Sequence, residues 1–97
     1  MKTIDKIEEI LKIFKPYRLQ VVDDSHKHKG HPEALKSTGG HYTITIVSKI
    51  FEGKKKIIKH RMIYEALRDL IPEEIHALSI NCFSIEEYER KEDSQIL

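Results

Sequence analysis

Ile4, Ile7, Ile10, Leu11 and Phe14 recur at spacings of three and four, which gathers them on one stripe of an opening helix. Thr3 is placed to cap that helix, and Pro16 to end it, because the residue before a proline is driven out of the helical region. The next phrase alternates, with Tyr17, Leu19 and Val21 against Arg18 and Gln20, and predicts a short strand. Residues 23–40 are polar and carry Gly30, Pro32, Gly39 and Gly40, so a loop is expected, long for a compact domain. Residues 42–50 alternate again, with Tyr42, Ile44, Ile46 and Ser48 on one face, and their β-branched content predicts a second strand. Glu52-Gly53 breaks it. Residues 54–70 then turn helical, as one helix or two, with Met62, Ile63, Ala66, Leu67 and Leu70 as the apolar face. Pro72 interrupts this run, and Glu73 with Glu74 suits the first turn of a further short helix. Residues 77–83 predict a third strand, with Leu78, Ile80 and Cys82 sharing a face. Ser84-Ile85-Glu86-Glu87 has the form of a capping box and opens a last helix. Residues 91–97 lack apolar periodicity and are expected to form a loose tail behind a single domain of residues 1–90.

The element order is therefore α-β-β-α-(α)-β-α. The simplest architecture is an α+β fold: a three-stranded mixed sheet with helices packed on one face. A helical crossover from the second strand to the third makes those two parallel if they share a sheet, and parallel strands start at the same edge. His41 and His76, 35 positions apart (76 − 41), each stand at the entry to one of these strands. They are expected at one edge of the sheet.

Size and charge narrow the function. A chain of 97 residues builds one modest core, with little room for a deep catalytic cleft. The single cysteine, Cys82, excludes an internal disulfide and every CxxC motif, and suits a reducing compartment. No apolar run approaches the roughly 20 residues that span a bilayer, so the expectation is a cytoplasmic protein with no membrane partner. The net charge of +1 gives no global attraction for nucleic acid. A local one is conceivable at Lys54, Lys55, Lys56, Lys59 and Arg61, where no acid intervenes, although such a run is more often a solvated helix face.

Candidate chemistry rests on histidine. His26, His28 and His31 are close enough to catch a stray divalent ion, but no second pair follows to complete a zinc site, and a solvated loop is the better reading. Taken from the residues alone, His76 reads as a histidine bonded to backbone and His41 as a strand-edge residue. Cys82 alternates with Leu78 and Ile80 and so points inward, where a thiol is inert. No nucleophile, carboxylate pair or phosphate-cradling loop stands at a catalytic spacing, and the chain is not expected to be an enzyme.

Three phrases in fixed order change the reading of the histidines: Gly39-Gly40-His41-Tyr42, then Phe51-Glu52-Gly53 leading into His60-Arg61-Met62-Ile63-Tyr64, then Ile75-His76-Ala77-Leu78. Together they resemble the BolA family over most of the chain. That resemblance implies a fold similar to a class II KH domain, although Gly30, Gly39, Gly40 and Gly53 offer no GxxG clamp. It implies a non-enzymatic partner of a monothiol glutaredoxin that shares a [2Fe-2S] cluster with it. His41 and His76 would be this chain's ligands, and the glutaredoxin's cysteine and bound glutathione the others. No cluster is then expected on the isolated chain. His60, Arg61, His28 and His31 would contribute to docking, in a role in iron–sulfur trafficking or iron sensing. Lys59 stands where the family more often has arginine, which loses the planar fork for phosphate. The alternative that the resemblance implies is a transcriptional regulator with a helix-turn-helix-like element, binding DNA through Lys54, Lys55, Lys56, Lys59 and Arg61.

Overall fold

A computed structural model describes residues 2–25 and 40–96, the side chains of residues 92–96 excepted. Helix α1, Thr3–Leu11, follows from the apolar stripe: Ile7 and Leu11 are fully buried, with Ile4, Ile10 and Phe14 packed alongside. Thr3 does not cap it. Lys2 holds the cap position without a side-chain bond, and the Thr3 hydroxyl instead donates to Glu74 Oε1 at 2.9 Å. The helix tightens into a 3-10 turn, Lys12–Phe14, and ends on Lys15 at φ 48°, just before Pro16.

Strand β1, Arg18–Asp23, half-buries Leu19 and Val21 as the alternation predicts. Tyr17 does not join them. It precedes the strand, is exposed, and donates its N–H to Val47 O at 2.7 Å. Strand β2, His41–Val47, stops earlier than the alternation suggests. The Ser48 side chain accepts the N–H of Ile50 and starts a 3-10 turn, Lys49–Phe51, which drops Phe51 into the core against Phe14, ring centroids 5.8 Å apart. Gly53 then turns at φ 71°.

Helix α2, Lys56–Ala66, is followed by a 3-10 turn, Arg68–Leu70. Ile63, Leu67 and Leu70 are buried, with Met62 and Ala66 packed against the same core. The short helix expected after Pro72 does not form. The N–H groups of Glu74 and Ile75 both turn back to Leu70 O, at 2.8 and 2.9 Å, and close a turn instead. Strand β3, Ala77–Phe83, has the predicted alternation. The capping box before α3, Ile85–Ile96, is complete: Glu87 N donates to Ser84 Oγ at 3.2 Å, and Ser84 N to Glu87 Oε1 at 2.8 Å. This helix continues to Ile96, past the point near Lys91 where a loose tail was expected.

Among the described residues the sheet has three strands in the order β1-β2-β3, antiparallel between β1 and β2 and parallel between β2 and β3. Tyr42, Ile44 and Ile46 of its inner face meet Ile7, Leu11, Phe51, Ile63, Leu67 and Ile75 in one core. The last helix crosses the far end of the sheet. Its Tyr88 ring lies 6.0 Å from Phe83 and 5.7 Å from the Arg18 guanidinium, two residues of the outer face.

Candidate functional site

The parallel register pairs His41 with Ala77, so His76 stands one residue before the partner of His41. The two histidines do enter the sheet at one edge, as the topology predicts. Gly40 joins them: its carbonyl accepts from both His76 N, at 2.6 Å, and Ala77 N, at 2.9 Å. Gly40 sits at φ 79°, and a Cβ there would lie 2.7 Å from His76 Cδ2 and 2.8 Å from His76 N. Only glycine allows this approach.

Each histidine is held from a second side. The His41 carbonyl accepts from Asp24 N at 2.7 Å, and its N–H donates to Ser25 Oγ at 3.4 Å. Asp24 Oδ2 in turn accepts a hydrogen bond from the Thr43 hydroxyl. His76 follows the turn containing Glu74, whose carboxylate takes the Thr3 hydroxyl and the Lys6 ammonium, each at 2.9 Å. Those two bonds keep the Glu74 carboxyl below the ordinary carboxylate range. The start of α1 is thereby tied to the segment that delivers His76. The sequence signal for Asp24 and Ser25 was available, since Asp23-Asp24-Ser25 closes a strand, but the reading of residues 23–40 as one loop passed over it.

His60 and Arg61 lie elsewhere. His60 lines a cleft of about 250 Å³ with Lys56, Lys59, Cys82 and Glu87, beside the far end of β3. The five-residue step from Ala77 to Cys82 puts that cleft roughly 16 Å from the histidine edge. Burial, then the charges of Lys56 and Lys59, lower the His60 pKa from its ordinary value. Arg61 is exposed. His28 and His31, with His26, fall outside the described residues.

Lys59 differs most from its expected place. Its side chain is only 6% exposed, and its ammonium bonds Glu87 Oε1 at 2.6 Å. It is therefore withdrawn from any phosphate. Lys54, Lys55, Lys56 and Arg61 of the same run are exposed. The signal was present: Lys59 stands four residues before Ile63, on the stripe that continues through Leu67 and Leu70. The Glu87 carboxyl is held low, chiefly by Lys59 and then by the Ser84 N–H. Cys82 is buried, as expected, and burial pushes its thiol pKa up to about 11.

Among the described residues, no group of three or more His, Cys, Asp and Glu is arranged to hold a metal ion. The donor set at the edge is two imidazoles, and the one thiol, Cys82, lies buried near the other end of β3. Such a set fits half of a mixed ligand shell, with the remainder supplied from outside the chain.

Among the described residues, a three-stranded mixed sheet with three helices, its parallel strands opening on two histidines, defines a small α+β domain. The chain belongs to the BolA family: the model of that family, described as BolA-like protein, matches residues 10–87. The chain is 35% identical over 91 residues to the protein named DNA-binding transcriptional regulator BolA of Escherichia coli, covering 93% of this chain and 83% of that one. Among solved structures it is similar to BolA1 from Arabidopsis thaliana, with TM-score 0.77, 30% identity, and coverage of 90% and 96% of the two chains. The BolA domain of SufE1 from the same plant gives TM-score 0.75 and 35% identity, with coverage of 87% and 93%. These similarities point to no catalytic family. Among the described residues no helix is long and apolar enough to cross a membrane.

Proposed function

We propose that this chain is a non-enzymatic partner of a monothiol glutaredoxin and shares a [2Fe-2S] cluster with it, in iron–sulfur trafficking or iron sensing in the cytoplasm. The observation that supports this reading most directly is the placing of His41 and His76 at one sheet edge, joined through Gly40, in a member of the BolA family. The two imidazoles would hold one side of the cluster, and the glutaredoxin's cysteine with glutathione the other. Histidine in place of thiolate raises the potential of such a cluster. What the chain itself contributes is orientation. Asp24 and Ser25 fix the backbone of His41, and Gly40 with the Glu74 turn fixes that of His76.

Anaerobic cluster reconstitution with and without a monothiol glutaredoxin, followed by visible circular dichroism, tests the proposal. The expected result is one cluster per heterodimer and none on this chain alone. His76→Ala should change the spectrum, and Cys82→Ala should leave it as it is. Tight cluster binding by the isolated chain would sink the sharing idea.

The name of the Escherichia coli relative favours a second reading, binding of DNA by the exposed cations Lys54, Lys55, Lys56 and Arg61. Such affinity is expected to be weak, salt-sensitive and independent of sequence. Reversing Lys54, Lys55 and Lys56 to glutamate should remove its salt-dependent part. Tight binding to one operator that survives this change would make the regulator reading primary.

A further inference from the structure

At the opposite end of β2 from the histidines, the 3-10 turns Lys12–Phe14 and Lys49–Phe51 face one another across a groove of about 560 Å³. Its lining is apolar where a solvated turn would be polar. Ile13 is 66% exposed and Ile50 41%, with Phe14 between them. Lys15 and Lys49 stand at the rim. Lys15 and Lys49 give two cations against one nearby acid, Glu52, since Glu9 is taken up by Lys12.

The groove is already formed. The Ser48 hydroxyl donates to Phe14 O at 2.6 Å and accepts from Ile50 N at 3.3 Å, locking the two turns together from below. Phe14 and Phe51 pack against each other at a tilt. Lys15 adds a second, independent sign. It holds φ 48° after a helical turn, where glycine fits without strain. A lysine at a position better suited to glycine indicates a use for its side chain.

We propose that this groove receives an acidic amphipathic helix of a partner protein, apolar side chains seated between Ile13 and Ile50 and carboxylates meeting Lys15 and Lys49. The backbone at the groove is already paired. Lys15 N bonds Lys12 O, Tyr17 N bonds Val47 O, Ser48 N bonds Phe83 O, and Phe51 N bonds Ser48 O. An extended segment finds no ladder there, whereas a helix brings its own hydrogen bonds. A lipid surface fits less well, because the lining is concave and two rim cations give little of what stable attachment requires. The β2 strand puts about 20 Å between this groove and the histidine edge, so both can be occupied at once. The inference stands independently of cluster sharing.

The test uses a labelled helical peptide with leucines at i, i+3, i+4 and i+7 and glutamates on the flanking positions. A lysine-flanked version and phosphatidylserine vesicles are run beside it. The acidic peptide should bind saturably, with chemical-shift changes centred on Ile13, Lys15 and Ile50. The lysine-flanked peptide should bind roughly tenfold more weakly or worse. Ile50→Asp should weaken binding roughly tenfold or more with unchanged far-ultraviolet circular dichroism. Lys15→Gly should raise the denaturation midpoint while weakening the peptide, a pairing that a structural role for Lys15 does not produce. The proposal is overturned by no saturable binding below about 1 mM. Equal affinity for the two peptides, binding of vesicles instead, or self-association abolished by Ile50→Asp would overturn it as well.

Discussion

The ring of His76 occupies the space that a side chain on Gly40 would need, with Cδ2 2.7 Å from the position of a Cβ. The same glycine carbonyl accepts the His76 N–H. The residue before the first histidine thus sets the position of the second.

Gly40→Ala should therefore cost more than a backbone effect. Gly53→Ala is the control: it shares a positive φ, 71°, but a Cβ there meets nothing within 4 Å. The control should lose about 1–2 kcal/mol from strain. Gly40→Ala should lose about 2–5 kcal/mol, since overpacking is added. Urea denaturation of the two variants checks this, and equal losses would show that His76 moves aside freely.

The Lys59–Glu87 pair should respond unequally to loss of its two members. Glu87→Ala removes the capping carboxylate and leaves a buried ammonium unmatched, at a cost of about 2–4 kcal/mol. Lys59→Met leaves an apolar stem in an apolar place and a half-exposed carboxylate, at less than about 1 kcal/mol. Equal destabilisation would mean that the Lys59 ammonium does not lie under the surface.

Acid should weaken the fold through Glu74 and Glu87. Both carboxyls are held below their ordinary value of 4.5, by Lys6 and Thr3 in one case and by Lys59 and Ser84 in the other. The stabilisation is complete above that value and is lost as pH falls through the depressed folded values. Denaturant titrations from pH 7 to pH 3 should show the fall, and Glu74→Gln should flatten part of it. An unchanged profile in that variant would remove Glu74 from the account.

Cys82 should resist alkylation. With its pKa pushed up to about 11, it should react with iodoacetamide at pH 8 roughly two orders of magnitude more slowly than a free thiol near 8.5. Denaturant should restore the ordinary rate. Fast reaction of the folded protein would contradict the burial of that side chain.

The sheet and its edge were legible in the sequence because they rest on alternation and on chain order. β-Branched residues marked β2, and a crossover helix is enough to make β2 and β3 parallel. Ser84 and Glu87 announced their cap through spacing alone. Thr3, Lys59 and Glu74 were misplaced for a common reason: each is a polar residue whose partner lies far along the chain. Thr3 bonds Glu74 at a separation of 71 residues, and Lys59 bonds Glu87 at 28. Local preference put Thr3 in a cap, Glu74 in a helix and Lys59 on a solvated face, and tertiary contacts outweighed all three. The end of β2 was missed because Ser48 continues the alternation while its hydroxyl starts a turn.

The buried ammonium of Lys59 divides the basic stretch of residues 54–61 into two kinds of position. A charge-reversal scan across it reads out two different quantities. At 54, 55, 56 and 61 it reports on whatever approaches from solvent, whereas at 59 it reports on whether α3 stays docked on α2. A block mutant covering the whole stretch would lose an interaction and a helix contact together, and its phenotype would belong to neither.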